Sequence, residues 1–136
     1  MPQGEHSLLQ SELCSVINNI TEDAKIAYAF LELRCTFGGN SIIPDVSVFR
    51  WSRIPITSSG KIANLFEIHP DWSIEILSPR QSSTKVLENI LHCSESGTEL
   101  GWVIYPEEES ILSVFSEQKV HLFRGDQPVP ILTGID

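Results

Sequence analysis

The chain has 136 residues, 41% of them apolar, and a net charge of −9 at neutral pH. That length supports one domain with a sizeable core and excludes two comfortable ones. The acid excess excludes a general nucleic-acid coat, which needs clustered Lys and Arg, but leaves room for a local basic groove or for carboxylates kept for a metal.

Residues 7–20, SLLQSELCSVINNI, place Leu9, Leu13, Val16, Ile17 and Ile20 at helical spacing, with Ser7 as the expected cap. IAYAFLELRCTF (26–37) is rich in aromatic and β-branched residues and reads as a strand. GGN breaks it, and SIIPDVSVFRW (41–51) follows as a second strand, the short link suggesting a hairpin. Pro44 cannot donate to a ladder, so it belongs at an edge, a bulge or a strand start. Residues 52–69, with Pro55, Ser58, Ser59 and Gly60, read as the long loop. WSIEIL (72–77) is a third strand, apolar enough to be buried on both faces.

SPRQSS then turns the chain, and Ser82 or Ser83 is placed to cap a second helix striped by Val86, Leu87, Ile90 and Leu91. Gly97 is its natural terminator. LGWVIYP is a fourth strand, and SILSVFS with KVHLF make a hairpin around EQ. The tail is polar and Pro-rich apart from Ile131 and Leu132. The order α-β-β-β-α-β-β-β predicts an α/β fold with a central sheet of mixed direction.

Cys14, Cys35 and Cys93 are odd in number and lack C-x-x-C spacing, which argues against a disulfide framework or a zinc site and for buried thiols. No apolar run approaches the roughly 18 residues of a membrane span. A cytoplasmic protein with no membrane partner is the expectation.

The third strand poses a problem in Glu75, which stands between Ile74 and Ile76. Burying an ionised carboxylate without a partner costs several kcal/mol. A metal ion, a paired Arg such as Arg34, Arg50 or Arg80, or protonation with a raised pKa would each compensate it. Asp45 follows Pro44 in the second strand. If those strands pair, Asp45 and Glu75 point into one pocket. With a backbone carbonyl such as that of Ile76 they make a hard oxygen site suited to Mg²⁺ or Mn²⁺.

PDVSVF, WSIEILSP and GTELGWVIYPEEESILSVF, in this order, resemble the Uma-type putative restriction endonuclease family, part of the PD-(D/E)XK nuclease superfamily. The resemblance starts near MPQGEHS and runs through most of the chain. It implies a restriction-endonuclease-like core, α-β-β-β-α-β with a C-terminal hairpin, and a metal-dependent site that cuts DNA to 5′-phosphate and 3′-hydroxyl ends. Asp45 matches the family's aspartate after proline, and Glu75 its strand glutamate. The superfamily's lysine position, two residues after the glutamate, is Leu77 here. The helix position that holds lysine in many Uma-type members is Asn89. Lys85 lies one turn earlier and, on the stripe Gln81, Lys85, Asn89 and His92, is the expected substitute. The resemblance also implies a helix and a strand ahead of MPQGEHS, and Met1 begins inside that segment. An uncovered edge or apolar face suggests a homodimer.

Lesser candidates are Glu12 on the first helix and Glu32 in the first strand, where surface or ion-pair roles compete with an acidic cluster. His6 matches a family histidine that touches the site or caps the helix. His92 and His121 show no ligand spacing. DNA contact would require Arg50, Arg53, Lys61, Arg80 and Lys85 to gather on one face, with the long loop turned toward DNA. Two functions are therefore carried forward. One is a Mg²⁺- or Mn²⁺-dependent DNA endonuclease using Asp45, Glu75 and Lys85. The other is a catalytically degenerate nuclease-like fold that serves as a binding or assembly module.

Overall fold

Eight strands and two α-helices form over residues 4–135, the residues described by this computed structural model. α1 (Gly4–Thr21) and β1 (Ala27–Leu31) are followed by a small hairpin, β2 (Cys35–Phe37) with β3 (Asn40–Ile42). Then come β4 (Val46–Arg50), β5 (Trp72–Ile76), α2 (Ser83–Ser96), β6 (Leu100–Tyr105), β7 (Ser110–Phe115) and β8 (Val120–Arg124). Six strands form one sheet in the order β1-β4-β5-β6-β7-β8. β5 and β6 are parallel, and every other neighbouring pair is antiparallel. A parallel pair needs a crossover, and α2 supplies it.

The expected order holds, with two strands divided. The stretch 26–37 breaks because Glu32 takes a left-handed φ of 46°, which ends β1. The stretch 41–51 breaks at Ile43–Pro44–Asp45, where proline withholds a ladder donor. GGN therefore turns the small β2–β3 hairpin, while β1 pairs with β4.

α1 begins at Gly4, so Ser7 lies inside the helix and is not its cap. The helix buries Gln10, Cys14, Ile17 and Thr21 and leaves Val16 and Ile20 exposed. Polar contacts set this roll. Asn18 accepts from the Ala29 N–H (2.8 Å) and donates to the Ala29 carbonyl (3.1 Å), covering part of the free edge of β1. α2 is punctuated as expected. The Ser82 hydroxyl accepts from the Lys85 N–H, and Gly97 closes the helix at φ 115°.

Alternation along the central strands gives the sheet two different faces. Val46, Val48, Trp72, Ile74, Ile76, Trp102 and Ile104 pack with Cys14 and Ile17 of α1. Trp72 and Trp102 meet edge to face at 4.8 Å. On the other face, Val103 and Val114 pack with Val86 and Ile90 of α2. All three cysteines are buried free thiols. No described helix is long and apolar enough to cross a membrane.

Gly101 lets α2 lie close against β6, since a Cβ there would sit 2.8 Å from Cγ2 of Ile90. Gly101→Ala is expected to destabilise the fold by roughly 1–3 kcal/mol through overpacking. Urea unfolding should show a lower midpoint at unchanged slope. An unchanged midpoint would mean that α2 shifts freely on the sheet.

Candidate active site

The pairing of β4 with β5 sets Val46 opposite Ile74, so one further step brings Asp45 opposite Glu75. Directly opposed residues share a face. The two acids therefore point to the same side, the side of α2. Asp45 is held in place by the end of β5, its Oδ2 accepting from the Ile76 N–H at 2.7 Å. Its carbonyl accepts from the Glu32 N–H (3.2 Å) and from the buried Gln10 amide (2.8 Å). The same Gln10 amide donates to Glu32 Oε2 at 3.1 Å.

Glu75 is 5% exposed, and its Oε2 is buried without a hydrogen-bond partner. Among the described residues, none of the arginines pairs with it. Arg50 pairs with Glu99, and Arg53 with Asp71. Burial first, then the neighbouring Asp45 charge, push the Glu75 carboxyl up to about 8. Burial also raises Asp45 above the ordinary carboxylate range. On the same face, Ser47 and Ser73 stand opposite each other, their hydroxyls buried and unpartnered.

His6, on the first turn of α1, reaches the same place from the other side. Its Nε2 lies 3.1 Å from the Ile76 carbonyl and 3.3 Å from Asp45 Oδ2. His6, Glu32, Asp45, Ser78, Arg80 and Gln81 line a cleft of about 410 Å³, and Glu75 lies buried beneath it, outside the lining. Among the described residues, no group of three or more His, Cys, Asp or Glu side chains is arranged to hold a metal. Asp45, Glu75 and the Ile76 carbonyl would offer a cation two carboxylates and a backbone carbonyl. That suits Mg²⁺, which keeps several waters and takes one or two carboxylates. The unpartnered Oε2 of Glu75 is the polar atom such a cation would satisfy.

The model of the Uma2 family, described as putative restriction endonuclease, matches residues 1–134. The chain belongs to that family. Its structure is also similar to the crystal structure of a putative nuclease from Anabaena variabilis ATCC 29413, with 55% identity and a TM-score of 0.94. The match covers 96% of this chain and 74% of that one. No curated protein matches the chain. The expected restriction-endonuclease-like α/β fold is the fold of this Uma2-family chain.

The other sequence candidates are scattered. Lys85 is exposed on the first turn of α2 and is not among the cleft residues. Leu77, at the superfamily's lysine position, packs against the α2 core cluster. Glu32 lines the cleft, whereas Glu12 is exposed and faces a neighbouring apolar cleft with Leu8 and Leu9. His92 is structural, stacked on Phe37 at 4.7 Å and bonded to its carbonyl at 3.0 Å. His121 is exposed on β8.

The five cations expected on one face do not gather in the cleft, where Arg80 alone of them is in the lining. Arg50 and Arg53 sit at or beyond the far end of β4, some ~15 Å along the strand from Asp45, held by Asp71, Glu99 and Thr133. Gln10 went unrecognised in the sequence because a polar residue at that position is what an exposed helix face would also carry.

The Glu75 carboxyl binds its proton more tightly in the fold than in the unfolded chain. The metal-free protein therefore loses stability as pH rises from about 4.5 through about 8. Glu75→Gln should raise the melting temperature by several degrees at pH 8.5 and change it little at pH 5. A pH-independent difference would show that Glu75 is not held protonated.

Proposed function

We propose that this chain is a metal-dependent endonuclease that hydrolyses DNA phosphodiesters, with Asp45 and Glu75 holding Mg²⁺ or Mn²⁺. The observation that carries this reading is the buried Glu75 oxygen with no partner, set across one strand pair from Asp45. The Uma2 family and the nuclease relative support a nuclease reading of the chain. A bound divalent cation supplies positive charge for the phosphoryl oxygens and acidifies water.

The chain's own groups prepare the site. The Ile76 N–H orients Asp45, and Gln10 together with the Glu32 N–H fixes the Asp45 backbone. The His6 ring nitrogen, 3.1 Å from the Ile76 carbonyl and 3.3 Å from Asp45, is placed to hydrogen-bond either oxygen. Glu75 holds a proton near neutral pH, so a cation there competes with that proton. Lys85 is left out of this assignment because its side chain is exposed and lies outside the cleft lining.

The alternative is a degenerate fold that binds partners without cutting. It is favoured by Leu77 at the lysine position and by the net charge of −9. Supercoiled plasmid with Mg²⁺ or Mn²⁺, together with calorimetric titration of the same ions, separates the two. The enzyme should nick the plasmid and bind the ion, and Glu75→Gln should lose both, with cleavage down roughly hundredfold or more. Equal nicking by wild type and Glu75→Gln would remove this site from the chemistry. Absence of both nicking and ion binding would establish the degenerate fold. The homodimer expected from the sequence would bury the exposed Leu8, Val16 and Ile20 of α1. Sedimentation of wild type against Val16→Glu reads this directly, and a monomeric wild type would exclude it.

A further inference from the structure

A phosphodiester beside two carboxylates needs a cation from the protein, and Leu77 occupies the usual place for one. Four of the nine Lys and Arg residues are engaged elsewhere. Arg50 and Arg53 are tied to Glu99 and Asp71, Lys25 lies over the Trp51 ring, and Lys119 sits beside Glu117 on the far hairpin. Arg80 is in the lining of the cleft with Asp45 and has no ion-pair partner among the described residues.

Its backbone sharpens the point. Ser78 to Gln81 form a closed turn, with the Gln81 N–H donating to the Ser78 carbonyl (3.1 Å) and the Gln81 side chain accepting from the Ser78 N–H (3.0 Å). Pro79 is the second residue and Arg80 the third, at φ 71°. Proline followed by a positive φ is the pattern of a type II turn, whose third position favours Gly or Asn because a Cβ there crowds the backbone. The chain thus carries a long cationic side chain where turn chemistry favours glycine, and a turn bonded twice holds it at the lip of the acidic cleft. Backbone strain of this kind clusters at functional sites.

We propose that Arg80 is the phosphate-binding residue of this site, its guanidinium taking the non-bridging oxygens of the phosphodiester that lies over Asp45 and Glu75. This rests on the nuclease reading of those two acids. The planar fork of donors matches two phosphoryl oxygens, and the fixed turn leaves only the side chain's own rotamers to be ordered on binding. The contact is to the backbone of the nucleic acid, so it carries no base preference.

Arg80→Gly tests it, because glycine suits the turn. The variant should fold with an equal or higher melting temperature and bind Mn²⁺ as the wild type does. Its affinity for a fluorescein-labelled DNA duplex, measured with Ca²⁺ in place of Mg²⁺, should fall about tenfold. The slope of log affinity against log salt should drop by about one. Lys119→Ala controls for loss of one positive charge, and Arg80→Lys should restore part of the binding.

Wild-type affinity and salt slope in Arg80→Gly would overturn the proposal, as would a larger loss in Lys85→Ala than in Arg80→Gly. The two readings fail separately. Binding that depends on Arg80 without any plasmid nicking leaves this contact standing and removes the nuclease. Nicking that is equal in wild type and Arg80→Gly leaves the nuclease and removes this contact. A wild type that neither binds nor nicks removes both.

Discussion

The antiparallel pairing of β4 with β5 is the constraint on which the site depends. It sets Asp45 across from Glu75, and the pleat then sends both carboxylates to one side. A slip of one residue would turn Asp45 to the α1 face, away from Glu75. An aspartate side chain clasps each end of this ladder. Asp45 accepts from the Ile76 N–H at one end, and Asp71 accepts from the Arg50 N–H (2.8 Å) at the other. Asp45 therefore both fastens the register and faces the cleft. Glu75 does not clasp an end of the ladder, and so its carboxyl is the cleaner probe of the chemistry.

Electrostatics divides the molecule along the same strands. At the far end of β4, Arg50 and Arg53 neutralise Asp71 and Glu99, and Arg50 also bonds Thr133. This network holds down the C-terminal segment, where Leu132 and Ile135 are buried. At the near end the balance is reversed. Glu32 and Asp45 share the cleft lining with His6, Glu75 stands beside Asp45, and Arg80 is the cation in that lining. Cationic side chains spent on structure at one end leave an acidic pocket at the other. That pocket raises its own carboxyl pKa values because burial and like charge act together.

Much of this was legible from local chemistry. α2 could be placed from Ser82, the stripe of Val86 and Ile90, and Gly97, because caps and periodicity are properties of a few adjacent residues. β5 was visible as an apolar run, and the anomaly of Glu75 within it is what pointed to a site. Harder to read was the break at Glu32. Its left-handed backbone goes with the bond to the Asp45 carbonyl, which is not near it in sequence. The roll of α1 was also hidden, since Asn18 and Gln10 choose it through bonds to β1 and to Asp45.

The sequence alone determined which residues carry the unusual chemistry, the family they resemble and the order of the elements, because these follow from residue type and short-range spacing. Tertiary structure decided the partnerships. It placed Asp45 beside Glu75, withdrew Arg50 and Arg53 into a structural network, left Lys85 exposed outside the cleft and set Arg80 at its lip. The reason is physical. Which charges meet is settled by strand register and helix roll, and those are fixed by packing and hydrogen bonds between residues tens of positions apart.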